Sequence, residues 1–435
     1  MLTSSVFQPS RRTLVKGLGL LALAGPAGIT QAAQRQEVVV VTSYPDEVVS
    51  RFEAAFEKAY SNWRLRIVWH MPYDALPTLR HPGPEGVDVY WTPSPANFAL
   101  LKQEGLLRKL DIDRSGLPGR IGNTQIDDPD GYYTATETAA YGFAVNLAYL
   151  KAHKLPEPSD WTDLADPRYA GHIALPNPGK VGFAPPMADI PLQAYGWEKG
   201  WAMWSAVTAN SSLVNSGSTF VGDTLSSGRH GIGPSIDFFV AAAIAKGAPL
   251  RFIYPKHGGV HSGHVAIMAG AHHLDGARAF VTIFQSEAGQ KLVTHPDVRK
   301  LPVRPSVYAG LEAGYHNPFV AAEAGGYGYD GERTRGRLPL IAALFDVVLA
   351  QQHDKLAELW PKARAICGEP GEQARQLLST VPVSEADADR PDWQQAFAHR
   401  RDDAKADAAA TSLEQQWASE VKTRLTRVSQ LLEQA

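Results

Sequence analysis

Two hydrophobic periods share this chain. Residues 38–41 are four consecutive valines, the mark of a strand covered on both faces. After Thr42-Ser43-Tyr44-Pro45, apolar residues recur at helical spacing as Val48, Val49, Phe52, Phe56 and Tyr60, and Pro45 sits where a first helical turn tolerates it. Residues 65–69 and 87–91 are the next strands. The latter runs through Thr92-Pro93-Ser94-Pro95 into a helix over 96–104. Strand, loop and helix in repetition predict a parallel sheet with crossover helices.

Turn chemistry at 127–131 breaks the pattern before a strand over 140–146. A strand at 172–175 leaves through a long loop, 176–186. Tyr195, Trp197, Trp201 and Trp204 stud a helix over 195–208, where they are packing residues. Leu213-Val214 leads into Asn215-Ser216-Gly217-Ser218-Thr219 and a helix over 220–227. A short strand at 231–233, a helix over 237–245, strands at 250–254 and 265–268 and a helix over 274–284 follow. The last hundred residues are helical, over 337–350, 353–360, 372–378 and 413–432. By default this tail packs on the rest of its own chain.

Composition narrows what such a chain can do. It has 435 residues, enough for two cored units and an appendage, and a formal net charge of -3. That balance supplies no basic field for nucleic acid. Cys367 is the only cysteine, so neither an intrachain disulfide nor a multi-thiolate metal site can form. Arg11-Arg12 precede an apolar run, 17–29, too short for a membrane span. This reads as a twin-arginine export signal cleaved near Ala32 or Ala33, which places the mature protein in the periplasm.

The ordered set of segments resembles the type II periplasmic substrate-binding proteins of ABC importers. The branch is that of ferric, thiamine, phosphoglycerate, sugar-phosphate and aminoalkylphosphonate binders. The stretches that carry it are 38–44, 87–94, 131–146 with Tyr141-Gly142-Phe143-Ala144-Val145-Asn146, 161–164, 172–177, 228–233 and 263–270 before Ala277-Arg278-Ala279-Phe280. The resemblance implies an α/β fold of two lobes, crossing hinge strands near 141–145 and 265–268, and a helical C-terminal extension. The corresponding division is a signal peptide over 1–33, a first lobe from 34–140 and 266–335, a second from 141–265, and the extension over 336–435. It further implies a solute held between the lobes, an inner-membrane ABC permease as partner, no enzymatic activity and no cofactor. A monomer is expected.

Helix starts rich in hydroxyls and glycine suit an anion, because unpaired N–H groups and the helix field converge there. Asn215, Ser216, Gly217, Ser218 and Thr219 form the first such start, although an ordinary N-cap needs only one of those hydroxyls. Thr42, Ser43 and Tyr44 form a second, and Thr92 and Ser94 a third, at the sheet edge where α/β proteins receive ligands. Thr136 and Glu137 precede the first crossing and can read a polar end. Asp237 falls where ferric-binding relatives carry adjacent tyrosines, and Phe238-Phe239 supply no phenolate. Arg251, Arg299 and Arg304 are cations able to meet a phosphate or to lie on the surface.

The expected solute is therefore a small anion, a phosphate ester or phosphonate. Two alternatives stand beside it. The closed protein can serve a membrane sensor kinase, or an atypical site assembled from Tyr44, Asp237, His257, His261 or His264 can hold ferric ion. A hydrolase triad of Ser216, His261 and Asp237 lacks any nucleophile-elbow pattern.

Overall fold

The computed structural model describes residues 35–84, 86–215 and 220–435. The export signal and Ser216, Gly217, Ser218 and Thr219 lie outside the described residues. Among the described residues no helix is long and apolar enough to cross a membrane.

The valine run forms the strand Gln36–Thr42. It pairs in parallel with Trp63–Trp69 on one side and Val89–Thr92 on the other. Helix Asp46–Ala59 buries Val48, Val49, Phe52 and Phe56 on this sheet. Helix Leu274–Gln285 adds Phe280 and Phe284 to the same core, around Trp91. Pro45 stands just before the first of these helices, in extended conformation. This is the first lobe.

The sheet is mixed rather than parallel throughout. Thr134–Val145 is one twelve-residue strand, entirely buried. Its first half pairs antiparallel with Val260–Met268, and its second half pairs antiparallel with Ile232–Ile236 and Arg251–Ile253. One long strand thus belongs to both lobes, and Val260–Met268 brings the chain back. A connection between lobes has to run out and return, which makes the two crossing strands antiparallel. The second lobe continues through Ile173–Pro176 and Ser211–Val214, which are parallel to each other.

A second helix precedes the aromatic one and begins inside the expected loop 176–186. Ala184–Tyr195 ends at Gly196, which has a positive φ, and Trp197–Asn210 begins there. Trp197, Trp201 and Trp204 are buried where this lobe meets the C-terminal helices. The Trp197 indole N–H donates to the Val383 carbonyl at 2.7 Å, and the Trp360 indole N–H donates to Ser205 Oγ at 3.0 Å. Each ring buried this fully adds roughly 1.5–3 kcal/mol of hydrophobic stabilisation. The extension is counted from Tyr327, ahead of the expected start at 336, because Tyr329 already packs in the core shared by the second lobe and the C-terminal helices. It runs on through Leu338–Phe345, His353–Ala365, Glu369–Ser379 and the thirty-residue helix Ala404–Glu433. Its apolar stripe, with Trp417, Val421, Leu425 and Val428, joins the core of the second lobe. The tail packs on the rest of its own chain.

Candidate ligand cleft

Two strands of the first lobe end beside the crossing strands. Gln36–Thr42 and Val89–Thr92 deliver their final hydroxyls side by side, with Ser43 Oγ and Thr92 Oγ1 2.7 Å apart. Thr42 Oγ1 accepts from the Tyr44 amide at 3.1 Å, and Thr92 Oγ1 accepts from the Ser94 amide at 3.3 Å. These hydroxyls chiefly serve the turns that start the two helices.

Beside them lies a buried polar knot. The Tyr44 hydroxyl and the Thr136 hydroxyl both donate to the Glu137 carboxylate. The Lys300 ammonium donates to Glu137 Oε1 at 3.2 Å, and both side chains are nearly inaccessible. Burial and the adjacent carboxylate raise the Tyr44 phenol well above its ordinary range, so it stays protonated and acts as donor. Gly263 faces this knot across the crossing pair. A Cβ there would meet the Glu137 carboxylate and the Tyr44 hydroxyl, so any side chain would push this knot aside. Lys300 also lies 4.5 Å over the ring of Phe238, which reaches in from the second lobe.

Asp237 starts helix Asp237–Ala245 at the same junction. Its Oδ1 accepts from the Phe238 amide at 2.7 Å and its Oδ2 from the Tyr254 hydroxyl at 3.3 Å. Burial nevertheless pushes its pKa up to about 7, against the lowering pull of its hydrogen bonds and of Lys300. The folded state therefore holds this proton more tightly than the unfolded chain does. Stability from this group is complete at low pH and is lost as pH rises toward 7. Between pH 6 and 8 the loss is about 1.4 kcal/mol. Urea titrations at both pH values check it: the difference between wild type and Asp237→Asn should carry that slope, and parallel profiles would contradict it.

A cavity of about 450 Å³ opens on the crossing strands. The first lobe contributes Ser94 and Gln125, the crossing strands Tyr141, His261, Ser262 and His264, and the second lobe Phe183 and Ile236. The extension contributes Tyr329, Glu332, Arg335 and Leu338. Its wall is more apolar than a lining of hydroxyls and amides would make it, because the second lobe and the extension present mainly aromatic and aliphatic side chains and prolines.

The histidines define the polar side. His264 Nε2 lies 2.8 Å from the Ile126 carbonyl, and His261 Nε2 lies 2.5 Å from the Pro93 carbonyl. A carbonyl only accepts, so in both rings Nε2 carries the proton and Nδ1 is an acceptor. Burial lowers the pKa of His261 to about 4 and of His264 to about 3, which keeps both neutral. The ring of His264 is held between Phe98 and Tyr133. Its Nδ1, like Ser262 Oγ, is buried and makes no hydrogen bond within the chain. Unsatisfied buried polar groups cost free energy. Both side chains border the cavity while these two atoms are closed to solvent, so a bound molecule satisfies them once neighbouring side chains give way.

The extension reaches this cavity by a strap over residues 327–330. The Asn123 amide donates to the Tyr327 carbonyl at 3.0 Å, and the Thr124 hydroxyl donates to the Tyr329 carbonyl at 2.7 Å, both from the first lobe. On the other side the Asp330 amide donates to Gln193 Oε1 of the second lobe at 2.9 Å. Gly122, with φ +57, lets the strap pass, since a Cβ there would strike the Tyr327 carbonyl.

The residues singled out from sequence fall into three groups. Thr42, Ser43, Tyr44, Thr92, Thr136, Glu137 and Asp237 gather at the lobe junction, largely bonded to one another or to neighbouring backbone. Ser94 lines the cavity. Asn215 does not: its Oδ1 accepts from Asn177 Nδ2 at 3.0 Å, and Asn177 also donates to Asp346 of the extension at 2.8 Å. The three arginines serve elsewhere. Arg304 donates to the Gln285 carbonyl, Arg251 pairs with Glu157 at the surface, and Arg299 lines a different groove. Sequence reasoning missed Lys300, Ser262, Glu332 and Arg335, and considered His264 only as a metal ligand. The Gly-Tyr-Gly-Tyr run before Asp330 was the available signal for the strap.

Residues 93–319 match the family model described as bacterial extracellular solute-binding protein. The phosphoglycerate transport regulatory protein PgtC of Salmonella typhimurium is 28% identical over 320 residues, covering 72% of this chain and 77% of that protein. The periplasmic binding protein AfuA of Actinobacillus pleuropneumoniae, with fructose-6-phosphate bound, superposes with a TM-score of 0.50 at 20% identity, over 62% of this chain and 86% of its own. Iron-bound HitA of Pseudomonas aeruginosa does so with a TM-score of 0.52 at 16% identity, over 66% and 92%.

Proposed function

The chain belongs to the bacterial extracellular solute-binding proteins, and from that premise we propose that its cargo is a small organic anion, a phosphate ester or phosphonate, whose capture is reported to a membrane partner. The chain is a periplasmic, non-catalytic, two-lobed binding protein of the ABC-importer type that takes a small solute between its lobes. The observation that carries the finer reading is the interlobe cavity, where Ser262 Oγ and His264 Nδ1 lack partners and Arg335 stands on the wall. Ser94 is the ligand contact from the first lobe. Thr42, Ser43, Tyr44, Thr92, Thr136, Glu137 and Asp237 shape and brace the junction beneath it. Ligand contacts made from both lobes favour the closed form, and that form is what a partner can distinguish.

Two membrane partners are compatible with this cycle. One is an ABC permease that receives the solute. The other is a sensor kinase that reads the closed form, a role supported by the regulatory function in the name of PgtC. Deleting the gene separates them: lost uptake indicates the permease, and lost induction with uptake intact indicates the sensor.

Ferric ion is the second reading of the cargo, prompted by the iron bound to HitA. It requires Tyr44 to give up its bond to Glu137 for the metal. Among the described residues no group of three or more His, Cys, Asp or Glu is placed to hold a metal ion. Calorimetric titration with 3-phosphoglycerate, fructose 6-phosphate and ferric citrate decides. The expected result is micromolar or tighter binding of a phosphorylated compound; binding of ferric citrate alone would replace the anion by the metal.

A further inference from the structure

Resting on the anion reading, we propose that the C-terminal extension is part of the recognition site: Arg335 takes the acidic group of the ligand, and His264 Nδ1 takes a hydrogen bond from a hydroxyl or ammonium group elsewhere on the same ligand. Four observations carry this. Arg335 and His264 line one cavity, of a size that a single small molecule spans. Arg335 is the cation among the residues named on its wall, and its guanidinium pairs with Glu332, one turn away on the same extension. A guanidinium has five N–H donors in a planar fork, so an anion can engage it beside that carboxylate. His264 Nδ1 is an acceptor, fixed as such by the Nε2–H bond to Ile126, and it has no partner in the chain.

The chemistry required of the ligand follows. One end is anionic. Another position donates a hydrogen bond to an imidazole nitrogen and can share one with the Ser262 hydroxyl. The carbon skeleton lies against Phe183, Ile236 and Leu338. A hydroxylated phosphate ester or an aminoalkylphosphonate meets all three demands. Inorganic phosphate meets the first alone. The strap makes the extension sensitive to lobe closure as well, because its backbone is hydrogen-bonded to both lobes.

The test is calorimetry on the full mature chain with 3-phosphoglycerate, fructose 6-phosphate and 2-aminoethylphosphonate, using wild type, Arg335→Ala and Arg335→Lys. Arg335 is partly exposed, so both variants should fold, and matching thermal midpoints verify it. For the compound that wild type binds, Arg335→Ala should weaken affinity by about tenfold or more, and Arg335→Lys by less, since a charge-assisted pair is lost in one and made less directional in the other. Replacing the donor hydroxyl or amine of that compound by hydrogen should weaken binding to wild type. Equal affinity of wild type and Arg335→Ala overturns the role of the extension and leaves the anion reading intact. Failure of wild type to bind any of the three compounds overturns both.

Discussion

Replacing Arg337 with leucine should destabilise the protein by roughly 3–5 kcal/mol, the range found when one partner of a buried ion pair is removed. Arg337 is 1% exposed, and its NH2 lies 3.2 Å from Oδ1 of Asp189, which is fully buried. Its NH1 reaches Glu385 at 3.1 Å and Asp389 at 3.2 Å, and its plane lies over the Trp197 ring. One guanidinium therefore joins the second lobe to two positions of the extension. Burial already raises the Asp189 pKa, and the arginine offsets part of that cost. Without it, the carboxyl is left in an apolar setting, where it takes up a proton or unfolds the region around it. Urea unfolding of Arg337→Leu should show a lower midpoint, and more so above neutral pH, where the proton must leave. The double variant Arg337→Leu, Asp189→Leu should recover much of the loss, because neither charge then remains buried alone. A single-variant loss below about 1 kcal/mol, the scale of an exposed pair, would contradict this account.

Replacing Lys300 with methionine should cost a similar amount, roughly 3–5 kcal/mol on the same principle. Glu137 would keep the hydroxyls of Tyr44 and Thr136 but lose its cation. The consequence extends beyond stability. Lys300 belongs to the first lobe and contacts Phe238 of the second, so its charge sits where the lobes meet. Methionine preserves the stem and much of the packing. Glu137→Gln in the same background removes the stranded charge and should restore part of the stability. Small-angle scattering of Lys300→Met without ligand should report a larger radius than wild type, from weaker closure. An unchanged melting curve and radius would show that this buried pair contributes nothing at the junction.

These two cations illustrate how far the chain could be read without its fold. Arg337 was visible as one of several arginines opening a helical tail, and Lys300 as one of the lysines after a helix. Nothing local distinguishes them from surface charges, since their partners lie 148 and 163 positions away in sequence. Tyr44 and Asp237 were recognisable because each stands where a helix starts, and Thr136 and Glu137 because they precede the expected first crossing. That Tyr44, Thr136 and Glu137 bond to one another beside Asp237 was not, because that depends on which strand lies beside which. The crossing strands were placed too short from sequence: Thr134–Val145 begins with Thr, Ala, Thr and Glu, which carry little apolar signal, and only burial from both sides makes that half a strand.

By itself, the sequence determined the repeating strands and helices, the helical tail, the exclusion of thiolate and nucleic-acid chemistry, and the family. All of these rest on local periodicity, composition and ordered short segments. Tertiary structure alone decided that the tail supplies a wall of the cleft, that two histidines there are fixed as neutral acceptors, and that a strap joins the lobes. The physical reason is distance along the chain. Ser94, His264 and Arg335 share a cavity only after two lobes and an extension have packed, and no pattern within a few turns of helix records that meeting.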